Sequence, residues 1–221
     1  MCGDGRAGAV AAVQGIRHPI HAAQALARAA SGPLLWTGRS AELAAAHDLE
    51  QIDPELMIAE RQRRRLERDR ARRHGMGGAG GTVGAVCLDA TGAMAAATST
   101  GGYTGKPPAR VGDSAIVGAG TWADARTCAV SATGDGEAFM RVLFAHEIHA
   151  RMLHGGEGLA VAAGAALAAV GGTGGLGGAI CVGADGAIAM PLSSEMMSRA
   201  WRRGDGETFT ALGVEDAVDR L

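Results

Sequence analysis

Gly81-Thr82-Val83-Gly84-Ala85-Val86-Cys87-Leu88 is where this chain changes character. Upstream, Glu60 to Arg73 is a dense charge run dominated by arginine, fading into His74-Gly75-Met76-Gly77-Gly78-Ala79-Gly80-Gly81. That composition predicts a frayed helix leading into a flexible linker over 61–81. Downstream, Thr82 to Leu88 and Ala93 to Ser99 flank Asp89-Ala90-Thr91-Gly92, the signature of a hairpin turn. A strand-like run opened by a threonine directly after a glycine-rich segment therefore divides the chain.

Working outward, Arg6 to Gln14 alternates as a strand and His18 to Ala30 reads as an Ala-rich helix. Pro33 to Thr37 reads as a short strand, and Ser40 to Asp48 as a helix capped by Ser40. Beyond the hairpin, Ser114 to Gly120 and Thr127 to Ala132 are short strands or loops. Glu137 to Leu153 and Gly158 to Val170 are helices, and a second hairpin spans Ala179 to Leu192 across Ala184-Asp185-Gly186. This order predicts a layered α/β or α+β domain with antiparallel pairing, not a doubly wound parallel sheet.

The 221 residues are 47% hydrophobic and 20% charged, enough for one respectable core. Aromatic residues make up only 3% and there are 36 glycines, so that core is built from Ala, Val and Leu with close backbone contacts. A net charge of −2 provides no basic excess for a nucleic-acid or membrane-surface partner. No apolar run reaches the roughly 18 residues of a membrane span. The first residues, Met1-Cys2-Gly3-Asp4-Gly5-Arg6, lack the pattern of a secretory signal, and a cytoplasmic location is expected. The four cysteines (Cys2, Cys87, Cys128, Cys181) are scattered without a Cys-x-x-Cys pair, as reduced thiols would be.

Thr82 is the residue with the most chemical promise. A cut between Gly81 and Thr82 would give it a free α-amine beside its own hydroxyl, so the nucleophile would carry its general base. Four glycine-containing motifs follow: Thr98-Ser99-Thr100-Gly101-Gly102, Arg110-Val111-Gly112-Asp113, Gly118-Ala119-Gly120 and Ala132-Thr133-Gly134-Asp135-Gly136. Each pairs glycine with a hydroxyl or charge, as expected where backbone approaches a small polar ligand. The Gly134 N–H and Thr133 hydroxyl suit an oxyanion. Arg110 suits a carboxylate and Asp113 an ammonium, a pair that selects an α-amino acid.

With these residues in hand, the chain resembles the plant-type L-asparaginase/isoaspartyl peptidase family of N-terminal nucleophile hydrolases. The resemblance runs through Thr82-Val83-Gly84-Ala85-Val86, Ala95-Ala96-Ala97-Thr98-Ser99-Thr100-Gly101-Gly102, Arg110-Val111-Gly112-Asp113-Ser114 and Ser131-Ala132-Thr133-Gly134. It continues through Gly171-Gly172-Thr173-Gly174-Gly175 and Ala189-Met190-Pro191, with Ala7-Gly8-Ala9-Val10 also fitting. It implies a four-layer αββα sandwich and a precursor that cuts itself at Gly81–Thr82. Residues 1–221 would then be one domain, with 1–81 a partial α subunit and 82–221 the β subunit. Thr82 is implied as nucleophile, Thr100 as its assisting hydroxyl, and Thr133 and Gly134 as the oxyanion hole. Arg110, Asp113 and the Gly136 carbonyl are implied to hold the substrate's charges. The expected activity is hydrolysis of L-asparagine or β-aspartyl dipeptides through an acyl-enzyme, without cofactor, by a homodimer of αβ units. Gly102 stands where the sister glycosylasparaginases typically have Asn, favouring this branch.

The match enters midway through the family's α subunit, so an N-terminally truncated form is expected. Relatives carry an upstream strand, two helices and a sodium-binding loop. Ser193-Ser194-Glu195-Met196-Met197-Ser198 also departs from the usual Asn-Thr-Glu-Gly-Met-Tyr. A second reading is therefore a non-catalytic remnant of the family. Other motifs carry less. His146-Glu147-Ile148-His149 places Ala150 where a zincin needs its second histidine, so helix-face histidines and no metal are expected. Gly172-x-Gly174-x-x-Gly177 follows a helical pattern rather than a strand, unlike a dinucleotide fingerprint. Lys106 is followed by Pro107, which excludes a P-loop, and Glu67 and Asp69 interrupt the Arg run.

Overall fold

The computed structural model describes residues 1–29, 31–71 and 81–213, without the side chains of 69–71. It mixes helix and sheet as an α+β fold. β1 (Ala9–Ala11), α1 (Pro19–Arg28) and β2 (Leu35–Thr37) form a small βαβ unit, in which the two strands pair in parallel. The expectation of antiparallel pairing fails here because α1 is a crossover that returns the chain in its original direction. Pro19 opens α1, where its missing N–H costs nothing. Ala22 and Leu26 bury its inner face, and α2 (Ser40–Ala46) adds Leu43 and Ala44 to the same cluster around Ile16. Ser40 does not cap α2. It lies inside the helix, its Oγ accepts the Gln14 N–H at 2.8 Å, and Arg39 takes the left-handed cap position.

α3 (Glu60–Ala71) is the charged helix, supported by ion pairs of Arg64 with Glu60 and Arg63 with Glu55. The expected linker over 61–81 is thus helical to residue 71, and 72–80 lie outside the described residues. β3 (Thr82–Leu88) and β4 (Met94–Thr100) then form the expected hairpin, with Thr82 opposite Thr100 and Leu88 opposite Met94.

A four-stranded sheet is antiparallel in the order β5 (Thr121–Ala123), β6 (Cys128–Gly134), β7 (Gly177–Gly183), β8 (Ile188–Ala189). The segment 114–120, expected as a short strand or loop, is a single 3-10 turn at Asp113–Ala115 followed by a loop, with β5 starting at Thr121. Alternation along β6 divides the interior. Cys128, Val130 and Ala132 point into the main core with α4 (Gly136–Val142), α5 (Phe144–Gly155) and α6 (Leu159–Gly172). Ala129 points the other way, onto Met94 and Ala96 of β4. The helices cover one face of this sheet, and the β3–β4 hairpin covers the other.

Contact between the sheets is close because the facing residues are small. A Cβ added at Gly84 of β3 would lie 2.0 Å from Ser131 Oγ of β6, so no larger residue fits without separating the layers. The single helix expected at 137–153 is broken at Leu143, which takes φ 48° between α4 and α5. The break lets Phe139 and Phe144, both fully buried, pack ring to ring at 4.8 Å, burial that offsets the strained residue. A further hairpin, β9 (Met196–Arg202) with β10 (Thr208–Gly213), follows β8 and was not anticipated.

Candidate active site

The β3–β4 register creates a short hydroxyl chain at the head of the hairpin. The Thr82 hydroxyl donates to Thr100 Oγ1 at 3.2 Å, and Thr100 in turn donates to the Gly81 carbonyl at 3.0 Å. The Gly102 N–H donates to the same Thr100 oxygen at 3.0 Å, fixing the hydroxyl from behind. With two hydrogen bonds accepted, the one proton of Thr100 is committed to the carbonyl of the Gly81–Thr82 peptide bond. That hydrogen bond polarises the Gly81 carbonyl. Lys106 braces the following loop by donating from Nζ to the Gly101 carbonyl at 2.6 Å. Burial, then the charge of Arg110, holds its ammonium pKa below the usual value.

A second set of hydroxyls joins the sheets beneath. Thr121 donates to Thr98 Oγ1 at 2.5 Å, and Thr98 shares a 2.7 Å hydrogen bond with Ser131 Oγ. These groups satisfy one another where water is largely excluded, tying β4 to β5 and β6.

Arg110 follows Ala109, whose φ of 64° turns the chain sharply. Its Nε and Nη2 donate to Glu137 Oε1 and Oε2 at 2.7 and 2.6 Å, and its guanidinium lies 4.5 Å from the centre of the Tyr103 ring. The same pair raises the Arg110 pKa and lowers that of Glu137. Asp113 opens the 3-10 turn and is only 7% exposed. Its Oδ2 has no hydrogen-bond partner, and burial pushes the carboxyl up to about 6, against backbone hydrogen bonds and Arg110, which pull it down. The Gly120 N–H holds the Asp113 carbonyl at 3.0 Å. A Cβ added at Gly136 would lie 2.7 Å from Asp113 Oδ1 and 3.1 Å from Arg110 Nη2, so Arg110, Asp113 and Gly136 line one space.

Thr133 and Gly134 close β6. Gly134 has φ 151°, and a Cβ there would lie 2.4 Å from the Leu176 carbonyl, so only glycine fits. The Asp135 carboxylate accepts the Leu176 N–H at 2.8 Å and locks the turn into α4. The Ser131 that meets Gly84 lies two residues before Thr133, as Thr82 lies two residues before Gly84.

His149 belongs elsewhere. It is buried in α5, shares a 2.7 Å hydrogen bond between Nδ1 and Thr127 Oγ1, and packs on Trp122. No cluster of three His, Cys, Asp or Glu side chains able to hold a metal occurs among the described residues. Cys128 and Cys181 are buried as small apolar groups, whereas Cys87 is exposed. No helix among the described residues is long and apolar enough to cross a membrane. Reading the sequence missed Glu137 and Tyr103. The only available signals were that Glu137 directly follows Asp135-Gly136 and that Tyr103, the chain's one tyrosine, directly follows Gly101-Gly102.

Comparison with known proteins finds relatives across the chain. A family model described as asparaginase matches residues 2–212. The chain is 43% identical over 210 residues to an isoaspartyl peptidase of Escherichia coli strain K12, covering 89% of this chain and 64% of that protein. It is 42% identical over 143 residues to the human isoaspartyl peptidase/L-asparaginase, covering 62% of this chain and 46% of that protein. A probable isoaspartyl peptidase/L-asparaginase of Drosophila melanogaster is 33% identical over 237 residues, covering 97% and 70%. The chain thus spans 64% of the length of its Escherichia coli relative. A match across nearly all of the described residues, over a hairpin that sets two threonines against one peptide bond, means that this chain belongs to the asparaginase family.

Proposed function

We propose that this protein is an autoprocessing threonine amidohydrolase acting on L-asparagine, β-aspartyl dipeptides or both. The observation that carries the reading is the hydrogen-bond chain from Thr82 through Thr100 to the Gly81 carbonyl. In the first step Thr82 Oγ1 attacks the Gly81 carbonyl carbon while Thr100 hydrogen-bonds the developing oxyanion. The Thr82 hydroxyl proton passes to the Thr82 nitrogen as collapse breaks the C–N bond, leaving an ester between Gly81 and Thr82 Oγ1 and a free Thr82 amine. Water hydrolyses the ester, releasing Gly81 as a carboxylate and restoring the hydroxyl.

Thr82 then works on substrate. Its amine takes the hydroxyl proton as Oγ1 attacks the side-chain amide carbonyl, and returns a proton to the departing ammonia or amino acid. Thr133 and the Gly134 N–H stabilise the tetrahedral oxyanion. Arg110 holds the α-carboxylate, while Asp113 and the Gly136 carbonyl hold the α-ammonium. Water resolves the β-aspartyl ester to aspartate.

Residues 1–221 form one four-layer αββα domain, with 1–81 supplying the α part and 82–221 the β part. It acts in the cytoplasm as a homodimer of αβ units on small amino-acid or dipeptide substrates, not on nucleic acid or membranes. The test is hydrolysis of L-asparagine and of β-aspartyl-leucine by the purified chain beside Thr82→Ala. Turnover by the parent and none by the variant is expected. Equal turnover by both would remove Thr82 from the chemistry.

A further inference from the structure

We infer that Glu137 is a positioning residue that aims Arg110 at the substrate α-carboxylate, with Tyr103 favouring that placement of the guanidinium. This inference rests on the amino-acid site described above. A guanidinium offers a carboxylate two useful edges, the side edge (Nε with one terminal nitrogen) and the end edge made by both terminal nitrogens. Glu137 takes the side edge, accepting from Nε at 2.7 Å and Nη2 at 2.6 Å. The end edge is left over, and among the described residues Nη1 donates no hydrogen bond.

That free edge faces glycine. A Cβ added at Gly112 would lie 2.9 Å from Nη1, and one added at Gly136 would lie 3.1 Å from Nη2 and 2.7 Å from Asp113 Oδ1. Both positions lack the side chain that would close the space; Asp113 Oδ1 faces it at Gly136, while Oδ2, buried without a partner, lies against Gly120. An α-amino acid fits this layout, its carboxylate on the end edge of Arg110 and its ammonium on Asp113. The guanidinium lies over the Tyr103 ring, 4.5 Å from its centre, a cation–π contact that favours this placement. Arg110 itself is 13% exposed at its side chain whereas Glu137 is 50% exposed, so Glu137 acts from the solvent side and the substrate edge lies inward.

A competing role for Glu137 is as an internal plug that substrate must displace. A plug would occupy the edge the substrate needs, and Glu137 occupies the other one. The two roles predict opposite signs. Removing a positioning residue weakens carboxylate binding, whereas removing a plug strengthens it.

The experiment is calorimetric binding of L-aspartate and of β-alanine to the full chain and to Glu137→Gln. β-Alanine is aspartate without the α-carboxylate and keeps the amine that Asp113 would hold. The inference expects L-aspartate to bind about tenfold more weakly to Glu137→Gln, the loss of one charge-assisted hydrogen bond, with β-alanine unchanged. In turnover, KM rises by a similar factor while kcat stays within about twofold, as for lost binding common to ground and transition states. Unchanged or tighter L-aspartate binding by Glu137→Gln overturns the inference while leaving the amino-acid site intact. Equal losses for both ligands also overturn it, because a general disturbance of the pocket would not spare the ligand lacking a carboxylate. Failure of the parent chain to bind L-aspartate at all would remove the site itself, and the inference with it.

Discussion

Replacing Asp113 with Asn exchanges function for stability, in an amount that follows from the site. Burial raises the Asp113 carboxyl from its ordinary 3.8 to about 6. At 1.36 kcal/mol per unit, ionising this carboxyl at neutral pH costs the ligand-free fold about 3 kcal/mol. The sign is that of a carboxyl whose folded pKa is raised: the folded state binds more protons than the unfolded between pH 3.8 and about 6. Stability therefore declines as pH rises through that window and stays reduced above it. Asparagine cannot ionise, so the variant lacks this decline. Some of the gain is lost because an amide oxygen replaces the carboxylate on the backbone N–H groups of Asp113 and Ser114. A net stabilisation of about 1–3 kcal/mol at pH 7.5 remains, a rise in Tm of roughly 2–10 °C for a chain of this length. The assay is thermal unfolding of both proteins without ligand at pH 7.5 and pH 4. The variant's advantage should shrink by about 2 kcal/mol at pH 4, where the parent carboxyl is protonated in the fold. L-Aspartate should stabilise the parent alone, because only a carboxylate holds the ammonium. A variant less stable than the parent at pH 7.5, or an advantage independent of pH, would refute the reasoning.

Other outcomes follow from the same geometry. Thr100→Val removes the hydroxyl held 3.0 Å from the Gly81 carbonyl and should slow self-cleavage by roughly 10²–10³, read as a time course of intact mass. Cleavage at the parent rate would exclude Thr100 from the step. Gly84→Ala places a Cβ 2.0 Å from Ser131 Oγ and should destabilise by about 1–3 kcal/mol in denaturant unfolding. Adding Ser131→Gly should recover part of that loss, though not all, since Ser131 also bonds Thr98 at 2.7 Å.

Much of the fold was legible because its signals are local. The hairpin 82–100 is legible through its strand-like runs and the Asp89–Gly92 turn, and α1 and α6 through alanine-rich runs. What escaped was decided by tertiary contact. Nothing local breaks the helix at Leu143; the break follows from burying Phe139 and Phe144 together. Ser40 has the composition of a cap, yet its hydroxyl serves Gln14 instead. The site divides in the same way. Thr82, Thr100, Arg110 and Asp113 stand in motifs whose residue types suggest their chemistry. The Arg110–Glu137 pair joins residues 27 apart, and no spacing rule foretells which carboxylate a guanidinium will choose. Likewise, the close approach of Gly84 to Ser131 depends on which faces of two sheets meet.

The central claim is that Thr82 attacks the bond that precedes it, and intact-mass spectrometry of the purified, incubated chain tests that most directly. The account predicts two fragments, 1–81 and 82–221, with Thr82 at the new N-terminus, and a single uncut mass for Thr82→Ala. A folded parent chain that remains whole, or one cut at another bond, would contradict it.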